Sequence, residues 1–196
     1  MGADAIGVIG VANTPRFVAE PLRRQLFQTL EQKAGDLQRV WVVADLDDRS
    51  LEAALNGEGR PSVIQLHGSE SPERCLALKQ RFPQLAWWKA LRLRSAKDLG
   101  LLKPYSHAVD ALLLDAWSPD QLGGTGHRLS LDGLADIDVP LPWWLAGGIS
   151  AEWIPDLRTS VHPHGLDASS RLEVRPGWKD LNKVRDLLNA VNGERW

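Results

Sequence analysis

Cysteine is nearly absent from this sequence. Cys75 is the single one among 196 residues, which excludes an internal disulfide framework and fits a reducing compartment such as the cytoplasm. Long apolar runs are missing too: no stretch approaches the roughly 18–20 residues of a membrane-spanning helix, and the N-terminus has no basic region of the signal-peptide kind. No membrane partner is expected. Nor does charge of one sign prevail. The 23 Lys and Arg against 25 Asp and Glu leave a formal net charge of −2, without the broad basic surface that attracts nucleic acid. A small anionic ligand remains open, because it needs only a local pocket. The five histidines show no metal-ligand spacing. No low-complexity linker divides the chain, so residues 1–196 are read as one domain. Tryptophan runs against this scarcity, with nine residues, but they are scattered and read as packing residues.

What the sequence does contain is a series of short apolar runs with helical patterns between them, the pattern of βαβ units and a parallel sheet. The runs are Ala3–Val11, Arg39–Ala44, Ser62–Leu66, Leu85–Leu91, Val109–Leu114, Pro142–Ala146 and a weaker His164–Ala168. Their apolar character on both faces predicts strands buried on both sides. Helices are predicted in "PLRRQLFQTLEQ", "SLEAALNG", "SPERCLALKQRF", "SAKDLGLLKPY", "SLDGLADI" and "AEWIPDLR". The last, "KDLNKVRDLLNAVNG", places Leu181, Val184, Leu187, Leu188 and Val191 at helical spacing. Seven strands suit an open doubly wound sheet. A (β/α)8 barrel, the TIM-barrel architecture, needs eight, and the strand opening two residues after Met1 makes that end the place where a βα unit would be missing.

In a barrel the site gathers at the C-terminal ends of the strands. Arg16 follows the first run, His67 and Gly68 end the third, and Asp115 ends the fifth, ahead of the glycine-rich loop Gly123–Gly126. Gly147-Gly148 end the sixth run, and Asp167-Ala168-Ser169-Ser170 the seventh. Each has a plain structural reading beside a chemical one. A strand-ending aspartate caps turns as well as donating protons; a lone histidine is more often a hydrogen-bonded structural group, although histidine is the common acid or base at neutral pH. Paired glycines can mean only a tight turn, yet amide-rich loops after the last two strands are where barrels commonly hold phosphate. Arg16 is a surface charge or a fork for a carboxylate or phosphate.

The order of these pieces resembles that of the phosphoribosylanthranilate isomerase family of tryptophan biosynthesis. The matching residues are "GADAIGVIG...PRFV", "VIQLHGSESPERC", "KALRLR", "DALLLDAW...GGTG", "LAGGIS" and "GLDASSRLEVRPGWKD". The resemblance implies an Amadori rearrangement of a small phosphosugar substrate, without metal or redox cofactor, by a cytoplasmic protein that is a monomer or homodimer. It implies Asp115 as the general acid that opens the aminoribose ring and Arg16 as the carboxylate anchor. It further implies Gly147, Gly148, Asp167, Ser169 and Ser170 as the phosphate grip, and His67 as a supporting residue at the substrate.

Three departures from the family pattern stand out. The family's first strand reads Lys-Ile-Cys-Gly, with the cysteine as general base, and neither that strand nor its helix has a counterpart here. Cys75 lies in "SPERC", on a predicted helix, and is expected to be an inert packed thiol. "SSR" stands where the family has Ser-Ser-Gly, so Arg171 sits beside the expected phosphate loop; it is expected to point outward, because such grips rely on backbone N–H groups. "GHRLSLDGL" also replaces the family's Gly-Lys-Thr-Phe-Asp-Trp pattern. The isomerase, impaired in the chain as written, is the first reading. A non-catalytic phosphosugar-binding remnant is the alternative, and a different barrel chemistry such as an epimerase is the third, for which the histidines supply no metal cluster.

Overall fold

The computed structural model describes residues 2–93, 96–116, 134, 139 and 141–193, with the side chains of residues 96, 97 and 116 outside that description. The chain packs as two units, Gly2–Lys89 and Ala90–Trp196. In the first, strands β1 (Ala5–Ile9), β2 (Gln38–Val43), β3 (Val63–Leu66) and the start of β4 (Ala86–Leu93) pair in parallel and in sequence order. Helices α1 (Glu20–Lys33), α2 (Asp48–Leu55) and α3 (Pro72–Arg81) follow the first three strands. Val40 to Val43, Val63, Ile64 and Leu66 are all buried, as strands covered on both faces require. The helix starts are written locally. The Asp47 carboxylate accepts the Ser50 N–H at 2.8 Å, and the Ser71 hydroxyl accepts the Arg74 N–H at 3.2 Å with Pro72 at the first helical position. Arg81 pairs with Asp48 and Glu52, and Arg74 with Asp48, fastening α3 to α2.

Strand β1 departs from the two-sided burial predicted for it. Ile6 is 39% exposed, while Val8 is buried. Its only strand partner among the described residues is β2. At its end Ile9 bridges Phe17, and the Ile9 carbonyl accepts the Val18 N–H at 2.9 Å.

In the second unit β5 (Ala111–Ala116), β6 (Trp143–Ala146) and β7 (Gly165–Leu166) pair in parallel, in that order. Leu112, Leu113, Leu114 and Leu145 form its buried floor. The helix predicted in "SAKDLGLLKPY" is instead two 3₁₀ turns, Ala96–Leu101 and Lys103–Tyr105. Gly100 costs about 1 kcal/mol in a helix interior, and Pro104 has no N–H to continue an α ladder. "AEWIPDLR" forms a 3₁₀ turn, Ala151–Trp153, leading into α4 (Ile154–Ser160). The C-terminal helix α5 (Leu181–Asn192) is capped by Asp180, whose carboxylate accepts the Asn182 and Lys183 N–H groups. It buries Leu187 but leaves Leu181, in its first turn, 58% exposed. An antiparallel hairpin, β8 (Glu173–Arg175) and β9 (Trp178–Lys179), was not foreseen as strand. Its Pro176-Gly177 turn, with Gly177 at φ 84°, is the type II signal that could have revealed it. The predicted loop Gly123–Gly126 and nearly all of "SLDGLADI" lie outside the described residues. Among those described, no helix is long and apolar enough to cross a membrane.

Candidate active site

In the first unit the strand ends carry Arg16 and His67. Arg16 is half-buried and engaged by another group. Its loop is folded by the Thr14 hydroxyl donating to the Val11 carbonyl at 2.9 Å and by the Phe17 N–H donating to the Thr14 carbonyl at 3.1 Å. His67, just past β3, is half-buried. Gln65, two residues back on the same face, places its amide nitrogen 3.2 Å from His67 Nδ1. An amide N–H donated there makes Nδ1 an acceptor and leaves the ring proton on Nε2.

Beneath His67 lies a group that motif reading passed over. Lys89, on β4, is 2% exposed and Glu70 5%; Lys89 Nζ donates to Glu70 Oε2 at 2.8 Å, to the Gly68 carbonyl at 2.7 Å and to the Leu66 carbonyl at 3.4 Å. The Glu70 carboxylate also accepts the Asp45 N–H at 2.7 Å and the Gly68 N–H at 3.0 Å. One ion pair thereby ties the chain after β2 to the turn after β3. Burial alone would push the Glu70 carboxyl up, but the bonds from Lys89 and Asp45 together hold it below its ordinary value. Gly68 has no room for a side chain: a Cβ there would lie 2.5 Å from Asp45 Oδ2. The signal was a charged residue, Lys89, in the middle of the apolar run "AWWKAL". A cation in a buried strand needs an acid.

Cys75 is fully buried on α3. Burial pushes its thiol up to about 11, so at neutral pH it is a protonated packing group rather than a base. That agrees with the expectation of an inert thiol.

In the second unit three strand ends come together. Asp115, at the end of β5, is half-buried and stands in register with Ala146, the last residue of β6. Gly147 and Gly148 follow at φ 102° and 69°, conformations side chains rarely adopt and suited to a turn whose N–H groups converge on an anion. The Asp167 N–H donates to the Leu145 carbonyl at 2.8 Å, which sets the β7 loop beside β6. Lys179, on β9, holds that loop: Nζ donates to the Ser169 carbonyl at 2.9 Å, to Ser169 Oγ at 3.2 Å and to Glu173 Oε1 at 3.0 Å.

Desolvation pushes the Asp167 carboxyl up from its ordinary value, the Asp115 charge pushes the same way, and Lys179 opposes both. The side chain itself is exposed. Because the folded value lies above the unfolded one, Asp167 weakens the fold as pH rises from the unfolded carboxyl value, about 3.9. Asp167→Asn is therefore expected to melt higher than the unsubstituted chain at pH 7, with the gap closing below about pH 4. Thermal unfolding at the two pH values checks this; an equal or lower melting temperature at pH 7 would show that the carboxylate is not strained.

Arg171 does not point away from this loop pair. Its Nε lies 3.9 Å from where a Cβ on Gly148 would stand, so the side chain reaches back to the Gly147-Gly148 turn. The 3₁₀ turn Ser170–Leu172 carries it there. Among the described residues no group of three or more His, Cys, Asp and Glu could hold a metal ion.

Strand-end acids, glycine turns and a clamped serine loop on a parallel α/β scaffold are the features of a phosphate-binding enzyme. The comparisons with known proteins narrow the class. Residues 2–190 match the family N-(5'phosphoribosyl)anthranilate (PRA) isomerase. The N-(5'-phosphoribosyl)anthranilate isomerase of Thermosynechococcus vestitus is 41% identical over 191 residues, covering 97% of this chain and 81% of that protein. A crystal structure of phosphoribosyl anthranilate isomerase from Thermotoga maritima superposes with a TM-score of 0.85 at 23% identity, covering 98% of this chain and 90% of that one. Another, in complex with reduced 1-(o-carboxyphenylamino)-1-deoxyribulose 5-phosphate, gives 0.82 at 21% identity, with 98% and 89% covered. The chain belongs to the phosphoribosylanthranilate isomerase family of tryptophan biosynthesis, and its seven parallel strands share the α/β fold of those structures.

Proposed function

We propose that the chain, as a single cytoplasmic catalytic domain, performs the Amadori rearrangement of N-(5'-phosphoribosyl)anthranilate to 1-(o-carboxyphenylamino)-1-deoxyribulose 5-phosphate. Asp115 gives a proton to the ring oxygen as the bond from that oxygen to C1′ breaks and the anilino nitrogen forms an iminium. Loss of the C2′ proton then gives an enolamine, which becomes the ketone. The product is an isomer of the substrate, so no oxidant or reductant is consumed. Arg16 anchors the anthranilate carboxylate, His67 supports the substrate, and Gly147, Gly148, Asp167, Ser169 and Ser170 hold the phosphate. The observation that carries this reading is the register of Asp115 with Ala146: it puts a proton donor one strand away from the glycine turn suited to a phosphate.

The base is the open role. Cys75, the one thiol in the 196 residues, is buried and protonated. The polypeptide by itself therefore has the acid and both anion anchors without the family's cysteine base, and a positioned base contributes roughly 10²- to 10⁴-fold. An assay of the 196-residue chain beside the same chain fused to the first βα unit of the Thermosynechococcus vestitus relative tests this. Turnover at least about 10²-fold higher in the fused form is expected. Equal turnover would overturn the account of the base. No turnover from a folded fusion that still binds phosphate would favour a binding protein over an isomerase.

A further inference from the structure

Arg171 occupies a position where the family pattern has glycine, and it lies against the other half of the loop pair. Its Nε is 3.9 Å from the Cβ position of Gly148, its side chain is exposed, and among the described residues no hydrogen bond or ion pair engages its guanidinium. Glu152 lies within its field, and the Glu152 carboxyl is held low first by the Ser150 hydroxyl and to a smaller extent by Arg171 and Lys183. Lys179 Nζ is occupied by Ser169 and Glu173. A fork of five N–H donors is thus available beside the turn, and a doubly charged phosphoryl group suits it better than a carboxylate or a singly charged anion.

We infer that Arg171 is a side-chain ligand of the phosphoryl group, adding one guanidinium to a grip that otherwise depends on backbone N–H groups. The inference rests on the proposed phosphate site. It makes affinity in this chain depend on a cation that glycine cannot supply, with Glu152 as a field that orients the guanidinium while the site is free.

Inorganic phosphate, titrated by calorimetry into the 196-residue chain and into Arg171→Gly, Arg171→Lys and Glu152→Gln, separates the possibilities. Arg171→Gly is expected to weaken binding by about 10-fold or more, the range of charge-assisted hydrogen bonds. Arg171→Lys should recover part of the loss as a point charge without the fork. Glu152→Gln should leave affinity equal or tighter. The advantage of the unsubstituted chain over Arg171→Gly should also grow from pH 5 to pH 8, as inorganic phosphate takes its second charge near neutral pH. Equal affinity in Arg171→Gly, with unchanged melting temperature, would overturn the inference while leaving the phosphate site standing. Failure of the unsubstituted chain to bind phosphate would overturn both.

Discussion

Asp115→Asn, introduced into the fused, active form of the chain, is expected to lower kcat by about 10²- to 10⁴-fold. Asparagine keeps the shape of the side chain and its place at the end of β5, but it has no proton of suitable acidity to give the ring oxygen. Phosphate binding should survive, because the Ser169 loop is held by Lys179. A second readout separates loss of the acid from a disturbed fold. The Asp115 charge helps to push Asp167 up, so its removal should bring the Asp167 titration down, as followed by carboxyl NMR. Unchanged kcat would remove Asp115 from the mechanism. A fall in kcat together with an unmoved Asp167 would mean that the two carboxylates do not share one field.

Most of the scaffold was legible because buried parallel strands leave a plain trace. The runs around Val40–Val43 and Leu112–Leu114 are apolar at consecutive positions, and the folded chain buries them. The caps at Asp47, Ser71 and Asp180 are single-residue signals that need no tertiary information. Where reading failed, the deciding facts were tertiary or lay in turn chemistry. β1 has the composition of a two-sided strand, but its exposure follows from its neighbours, and composition does not count neighbours. The β8 and β9 hairpin is too short and too charged for its alternation to stand out, so only the Pro176-Gly177 turn marked it.

The candidate site shows the same division. The order of motifs singled out Asp115, the Gly147-Gly148 turn and the Asp167–Ser170 loop, because special backbone and strand-end polar residues are visible in a string. Arg171 was read as outward on the general habit of backbone phosphate grips. The 3₁₀ turn that swings it toward Gly148 is a matter of three residues' dihedral angles. Lys89 and Glu70 are 19 residues apart and become one unit only when β3 and β4 pair. Their partnership is a fact of register, with Leu66 directly opposite Lys89.

That pair carries the largest expected effect on stability. Lys89→Met is expected to cost about 3–5 kcal/mol, the range for removing one member of a buried ion pair. It leaves the Glu70 carboxylate buried without its cation, and the Gly68 carbonyl without the 2.7 Å bond from Nζ. Replacing both partners, as Lys89→Met with Glu70→Gln, should recover part of the loss, since no charge is then stranded and the glutamine oxygen can still accept the Asp45 N–H. The pH dependence identifies the cause. In the unsubstituted chain the Glu70 value is depressed on folding, so its contribution is present above the unfolded glutamate value, about 4.3, and is lost as pH falls through the lower folded value. Without Lys89, desolvation is opposed only by backbone N–H groups, and the folded value rises. The deficit of Lys89→Met should therefore be greatest at pH 7 and shrink toward pH 4, where Glu70 takes a proton in the variant. Urea denaturation at both pH values measures it. A deficit below about 1 kcal/mol, the scale of an exposed pair, or one that is the same at both pH values, would mean that the bond between Lys89 and Glu70 does not fasten the β3 turn on which His67 stands.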